Sequence, residues 1–392
     1  MPSVTAIVPT YNRSSYIEEC LESLLNQTAK LSQIIVVDDG SEDDTKDRVS
    51  QFGKAVQYFY KPNAGKASAL NLGLLHAVGQ WVWFFDDDDV ALPDATERRL
   101  AALAGSPNAE WVFSGHSVGT DNPDGRIRII KNRPAPFDAT GKRRYHIFKA
   151  HQVFLQSVLV KRSALQLVGL FDETFYRSQD YEMMIRLVRH CKAVSISEPT
   201  FIWRDHTGER GTKAYRHAKT AREQVWLQFE QILGQRIRSE VGLGELLDDD
   251  PPCDLLDTIQ QREALFRRMV VMAYKGLPNE AFEDLVLALN ERTQSTPPTL
   301  QSTERAAILE AVTASYFLAV LEGTVLDNLT HQAQSAFKTP ELQQALGIMV
   351  RGLAYAIRTG KITGLRRLQL LKLSAKLSVI AGLNPIINAY RK

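Results

Sequence analysis

Gln80-Trp81-Val82-Trp83-Phe84-Phe85-Asp86-Asp87-Asp88-Asp89 passes without a break from apolar to acidic. Trp81 to Phe85 reads as a strand buried on both faces, the pattern of a central parallel strand. Four carboxylates follow at once. Ala91-Leu92-Pro93-Asp94 comes next, and Pro93 suits the start of a helix. The acidic run is therefore expected at the carboxyl end of a central strand, where open α/β sheets bind their ligands. Adjacent carboxylates repel one another beside a core, and a divalent cation with oxygen ligands is the natural counter-charge. A merely solvated acidic turn would not explain the fusion to so apolar a strand.

Upstream, Val4–Val8 reads as a first strand, broken by Pro9-Thr10-Tyr11-Asn12-Arg13. A helix is expected next, with Ser14 or Ser15 as N-cap and a stripe of Leu21, Leu24 and Leu25. Gln33–Val37 reads as a second buried strand, running into Asp38-Asp39-Gly40-Ser41 and then a helix through Val49. Val56–Tyr60 is a third strand, and Asn63–Gly73 a turn opening into a helix. Strand, loop and helix in this alternation predict a parallel nucleotide-binding sheet.

Downstream, the pieces Pro9-Thr10-Tyr11-Asn12, Val37-Asp38-Asp39-Gly40-Ser41, Asn63-x-Gly65-x-x-x-Ala69-x-Asn71-x-Gly73, Phe85 to Asp89, and Phe171-Asp172-Glu173 with Asp180-Tyr181-Glu182 and Arg186-Leu187 stand in this order. Together they resemble a family 2 glycosyltransferase of the GT-A fold, over roughly residues 3–210. The resemblance implies a Rossmann-like mixed α/β sheet flanked by helices. It implies a nucleotide-sugar donor and a divalent ion, Mn2+ or Mg2+. Asp86 and Asp88 stand as the outer members of the family's Asp-x-Asp motif. Asp88 is the expected metal ligand, and Asp86 or Asp87 would meet the donor ribose or sugar. Asp39 matches the residue that accepts from the uracil N–H. Pro9, Thr10 and Tyr11 would line the same pocket, and Lys66 would meet the diphosphate. Asp180 is the expected catalytic base, with Asp172 or Glu182 as substitutes. His206 would close the metal site, with Thr207 to Lys213 as a lid. Gln179 departs from the Glu that usually precedes the base.

The chemistry agrees with these residue types. Breaking the bond between an anomeric carbon and a diphosphate leaves charge on the leaving group, which a metal between carboxylates and phosphate oxygens stabilises. The expected function is an inverting, metal-dependent transfer, from a UDP-sugar by preference, to a carbohydrate or glycoconjugate hydroxyl in bacterial polysaccharide or glycoconjugate synthesis. A nucleotidyltransferase would open with a glycine-rich loop after the first strand, and residues 9–13 contain no glycine. A degenerate binding module would not need Asp39, Asp88 and Asp180 together.

Trp111–Gly115 reads as a strand, and residues 121–144 as an irregular surface segment. The basic residues Arg126, Arg128, Lys131, Arg133, Lys142, Arg143 and Arg144 there suit either a solvated face or an anionic acceptor. Ser157–Val160 reads as a strand and Ser163 onward as a helix ending at Gly169. From about Tyr215 helical periodicity takes over, so the expected domains are 1–214, catalytic, and 215–392, all-α. The expected helices are Ala214–Val241, Leu256–Lys275, Asn279–Arg292, Thr303–Leu321, Pro340–Arg358 and Leu365–Leu383. The helical part would serve homo-oligomer formation, acceptor docking or contact with a membrane surface.

The 392 residues carry a formal net charge of +2, which implies no long-range pull toward nucleic acid. Cys20, Cys191 and Cys253 give neither a disulfide framework nor a zinc spacing, which points to a reducing compartment. Residues 1–8 lack the pattern of a signal peptide. The expected location is cytoplasmic, with peripheral attachment to the membrane's inner face as an option.

Overall fold

The computed structural model describes residues 2–122, 127–136, 143–206, 219–247, 255–291, 299–321, 323–336, 339–359 and 365–382. The chain divides into two compact units. One comprises Met1–Arg143 and His151–Arg222, the other Arg144–Ala150 and Glu223–Lys392. The expected boundary at residue 214 lies outside the described residues.

The first unit is a mixed sheet. Strand β1 (Val4–Thr10) lies between β2 (Gln33–Asp38) and β4 (Trp81–Phe84), and β3 (Gln57–Tyr60) extends the sheet beyond β2. All these pairs are parallel. On the other side β8 (Leu159–Lys161) runs antiparallel to β4 and to β6 (Trp111–Asp121). Strand β9 (Ala193–Arg204) is parallel to β6, and β5 (Val90–Ala91) and β7 (Ile127–Arg133) pair antiparallel with β9 and β6. Two reversals of direction leave β9 pointing the same way as β1, β2 and β4. The carboxyl ends of all four therefore open on one edge of the sheet.

Burial explains the strands. All four residues of β4 and all seven of β1 are buried, with Trp81, Trp83, Phe85, Val4, Ala6 and Val8 in one core with Ile17, Leu21 and Leu24. The helices of this unit are α1 (Ile17–Leu25), α2 (Thr45–Ser50), α3 (Lys66–His76), α4 (Ala95–Ala104), α6 (Arg162–Val168) and α7 (Gln179–His190).

Several local expectations are corrected. Pro9 does not end β1, which continues through Thr10. The ladder to β4 stops at Ile7, so the N–H that proline lacks falls past its end. Helix α1 starts at Ile17, with Tyr16 as a cap that makes no side-chain bond, so neither Ser14 nor Ser15 caps it. Helix α4 starts at Ala95 behind Asp94, and Pro93 stays outside it. Residues 121–144 are not irregular throughout: Ile127–Arg133 is the exposed edge strand β7. Its Arg128, Lys131 and Arg133 are exposed, as a charged edge discourages stray pairing. Arg126 and Lys142, and the side chain of Arg143, lie outside the described residues. Strand β9 was not anticipated.

The second unit is helical. It holds α5 (Arg143–Lys149), α8 (Lys219–Glu240), α9 (Thr258–Tyr274), α10 (Pro278–Asn290), α11 (Ser302–Thr313), α12 (Ser315–Val320), α13 (Gly323–Ser335), α14 (Pro340–Arg358) and α15 (Leu365–Ile380). Thr339 accepts from Leu342 N at 3.2 Å, the cap expected from its sequence. Thr303–Leu321 is not one helix, because Ala314 adopts an extended ψ of 136° and separates α11 from α12. Charged residues stitch the unit together. Lys275, wholly buried, meets Glu230 at 2.6 Å, and Arg268 and Arg238 share buried Asp284 at 2.8 and 3.0 Å. Helix α5 is joined by Lys149, 2.9 Å from Glu310. No helix among the described residues is long and apolar enough to cross a membrane.

Candidate active site

The edge where β1, β2, β4 and β9 end gathers residues far apart in sequence. Thr10 ends β1 and pairs with Asp38 of β2, and Asp39 N donates to Thr10 O at 2.9 Å. The turn after β2 needs Gly40, whose φ of +86° and whose closeness to Asn63 leave no room for a Cβ. Asn12, at φ 52°, donates its N–H to Ser41 Oγ at 2.8 Å and accepts from Glu42 N at 2.8 Å. The loops after β1 and β2 are thereby tied together, with Pro9, Thr10 and Tyr11 beside Asp39.

Asp39 is buried and already engaged. It accepts from Lys61 Nζ at 2.6 Å, Ala64 N at 3.0 Å and Gly65 N at 2.7 Å, which pins the turn leading into α3. A carboxylate offers about four lone pairs, so about one remains for an outside donor.

The acidic run follows β4 as expected. Its four members have different surroundings. Lys66, first residue of α3, lies 2.5 Å from Asp86 Oδ1. Arg13 Nε lies 3.6 Å from Asp87 Oδ1, and Arg13 Nη2 is 3.9 Å from Asp88 Oδ2. Asp88 Oδ2 meets His206 Nε2 at 2.9 Å. Asp89 is buried; it accepts from Gln156 Nε2 at 2.8 Å and from Arg204 N at 2.9 Å. Part of the counter-charge assigned to a metal thus comes from the protein's own Arg13 and Lys66. Burial pushes the Asp86 carboxyl above the ordinary carboxylate range, and burial with the adjacent Asp88 pushes Asp87 up to about 7. Burial opposes the charge on Lys66, yet the Asp86 and Asp180 carboxylates hold its ammonium above the usual lysine value.

The oxygens of Asp86, Asp88 and Asp89 converge within 4.8 Å of one another, and this set fits a divalent ion. Both oxygens of Asp89 already serve neutral donors, which leaves Asp86 and Asp88 of that set, with His206 beside Asp88. Metal bonds of roughly 2.1 Å at right angles set neighbouring ligands about 3 Å apart, and Asp88 Oδ2 and His206 Nε2 are 2.9 Å apart. The His206 ring is nearly buried and packs on Tyr16 at 4.9 Å between centroids. Arg204 orders the approach: its guanidinium pairs with Glu19 and Asp121, and its Nε donates to Asp88 O at 2.9 Å. The proposed lid, 207–213, lies outside the described residues.

Asp180 stands second in α7, behind Ser178, which caps the helix at a left-handed φ of 58°. Its Oδ1 accepts from Tyr181 N at 2.9 Å, and its Oδ2 lies 3.6 Å from His151 Nε2. Burial opposes its charge, yet His151 and Lys66 hold the carboxyl below the usual carboxylate range. Two other carboxylates of the motif are engaged: Asp172 accepts from Thr174 N and Oγ1 at 3.0 and 2.6 Å, and Glu182 binds Arg186 at 2.6 and 2.8 Å. The buried Oε1 of Gln179 has no hydrogen-bond partner. Arg13 and His151 were not anticipated. Arg13 adjoins a quoted motif, but its reach to the acidic run depends on the β1 turn. His151 carries no sequence signal.

Residues 5–164 match the family model described as Glycosyl transferase family 2. This segment belongs to glycosyl transferase family 2. Among relatives of this family, an uncharacterized glycosyltransferase of Rickettsia typhi is 30% identical over 197 residues, 48% of this chain and 59% of that protein. The chondroitin synthase of Pasteurella multocida is 28% identical over 190 residues, 48% of this chain and 19% of that protein. The chain spans 59% of the Rickettsia typhi relative and 38% of a Rickettsia felis one. A crystal structure of Staphylococcus aureus TarS residues 1–349 in complex with UDP-GlcNAc superposes with a TM-score of 0.52 at 17% identity, covering 84% of this chain and 90% of that one. The family 2 segment thus lies in a GT-A fold.

Proposed function

We propose that the chain is an inverting, divalent-metal-dependent glycosyltransferase that moves a sugar from a UDP-sugar to a hydroxyl of a carbohydrate or glycoconjugate. The observation that carries this reading is the meeting of Asp88 Oδ2 and His206 Nε2 at 2.9 Å, although the residues are 118 positions apart. Nothing in a plain acidic turn requires a histidine there.

Asp88 and His206 hold the ion, Mn2+ or Mg2+, with Asp86 beside them. The ion supplies Lewis-acid stabilisation of charge developing on the departing diphosphate. Pro9, Thr10 and Tyr11 line the nucleotide pocket, and the remaining acceptor capacity of Asp39 suits the uracil N–H. Asp86 and Asp87 face the donor's ribose or sugar. Lys66 positions Asp86 and adds positive charge near the diphosphate. Asp180 takes the proton of the acceptor hydroxyl as its oxygen attacks the anomeric carbon opposite the leaving group, so the configuration inverts. A carboxyl held below the usual range is ionised at neutral pH and ready to accept.

Residues 1–214 carry the chemistry, apart from α5, and the helical region serves docking of the acceptor, a second copy or a membrane surface. Two relatives named chondroitin synthase and hyaluronan synthase support a polysaccharide or glycoconjugate setting. The test is calorimetry with UDP and manganese, followed by turnover of a UDP-, GDP- and dTDP-sugar panel. Metal-dependent UDP binding and turnover of a UDP-sugar are expected; absence of metal-dependent binding by any nucleotide overturns the reading.

A further inference from the structure

His151 opens the second segment of the sheet unit, and its ring lies face to face with buried Tyr181, at 5.1 Å and 16°. Its Nε2 is 3.1 Å from the carbonyl oxygen of Val153 and 3.6 Å from Asp180 Oδ2. The first is a hydrogen-bond distance, and the second is an ion-pair separation. Both neighbours are acceptors, and a carbonyl oxygen has no proton to give. Nε2 must therefore carry the ring proton in the neutral imidazole, which leaves Nδ1 as the ring's acceptor. The tautomer follows from the partners, and the stacked ring limits its rotation.

Asp180 is held from two sides. Its Oδ1 takes the N–H of Tyr181 at 2.9 Å from its own helix, while Oδ2 faces His151. The titratable groups facing this carboxylate are His151 and Lys66 of α3, whose other partner is Asp86. Glu182, two residues on, is occupied by Arg186.

We propose that His151 is a positioning residue for the transfer reaction: its Nε2 edge, 3.6 Å from Oδ2, bounds that side of Asp180 and keeps the carboxylate aimed at the acceptor hydroxyl. This rests on the glycosyltransferase reading above. Val153 and Tyr181 in turn fix His151, so the proton lost by the acceptor meets a carboxylate whose orientation is set before the acceptor arrives. His151 touches no reacting atom in this scheme; it acts through Asp180.

The test uses the full chain in three forms: wild type, His151→Phe and His151→Gln. Phenylalanine keeps the stack on Tyr181 and loses the donor, and glutamine offers an amide N–H in its place. Expected for His151→Phe are UDP–manganese affinity and donor KM within about twofold of wild type, and kcat reduced roughly tenfold. The acid limb of kcat/KM should also move to higher pH, by about one pH unit. His151→Gln should recover most of the lost kcat. A His151→Phe enzyme with unchanged kcat and an unmoved acid limb overturns the inference while leaving the glycosyltransferase reading standing. Loss of UDP binding in both variants would make His151 a packing residue and overturn it too. A wild-type chain that neither binds UDP with manganese nor turns over any donor overturns both.

Discussion

Lys66 Nζ lies 2.5 Å from Asp86 Oδ1, and its charge also reaches Asp180. One ammonium at the start of α3 thus serves both the acidic run after β4 and the carboxylate at the start of α7. Removing it should disturb both. Lys66→Met is expected to lower turnover at least tenfold, since oriented charge at a transferring group is worth about that or more. It should also raise the pH of the acid limb through Asp180. Steady-state kinetics over a pH series will read both effects; a KM change alone would place Lys66 outside the chemistry.

Asp88→Asn is expected to cost at least about a hundredfold in turnover, the scale of a lost metal ligand that supplies several kcal/mol. Metal-dependent UDP binding should weaken in parallel, as followed by calorimetry with and without manganese. His206→Ala should fall in the same direction. Undiminished turnover in both variants would mean that the ion is held elsewhere.

Asp180→Asn keeps size and helix-start geometry but cannot take a proton. Transfer should drop by roughly a hundredfold or more, the usual scale of general-base loss, with UDP affinity unchanged. Normal transfer would remove Asp180 from the mechanism. Asp172 and Glu182 are poor replacements, because each already has close partners of its own.

Asp87 gives a stability signature in the metal-free protein. Its carboxyl is pushed up to about 7 by burial and by Asp88, above its ordinary value. The native state therefore binds more protons than the unfolded chain between about pH 4 and 7. By that sign, this group's contribution is fully present below pH 4 and is lost as pH rises through 7. Thermal unfolding in chelator from pH 5 to 8 should show Asp87→Asn gaining on wild type toward the alkaline end. A constant difference across the series would contradict the raised value.

The helical unit offers two tests. Glu230→Ala removes the carboxylate 2.6 Å from the buried Lys275 ammonium, and breaking such a pair costs about 3 kcal/mol or more. Denaturant unfolding should register the loss in this unit's transition, and adding Lys275→Met should recover most of it. A chain ending at Ala214 retains α5 but loses the unit to which α5 belongs, exposing buried Ile147 and Phe148. It should aggregate as such, and should bind UDP with manganese once Ile147→Ser and Phe148→Ser are added. A folded, monodisperse truncation without nucleotide binding would contradict the division of labour.

What the sequence determined by itself was local. The apolar run Trp81–Phe85 can satisfy its side chains only inside a sheet, so β4 and the acidic loop after it were legible, as were β1, β2 and the capped α14. Helical periodicity likewise exposed most of the second unit. Strand β9 was hidden because its first four residues, Ala193 to Ile196, are only half-buried and Ser197 and Glu198 are exposed, so it lacks a clear apolar pattern. The break at Ala314 was hidden because alanine is a good helix former.

The tertiary structure alone decided how the four aspartates differ. They are identical in sequence, and only their partners separate them: Lys66 for Asp86, Arg13 for Asp87, His206 for Asp88, Gln156 and the Arg204 backbone for Asp89. His151 meets Asp180, and α5 joins a unit whose other residues begin more than seventy positions later. Such pairings depend on where parallel strands end and how loops return, which no local pattern encodes. A carboxylate's chemistry is set by its neighbours' charge and by its access to water, and both are properties of the folded chain.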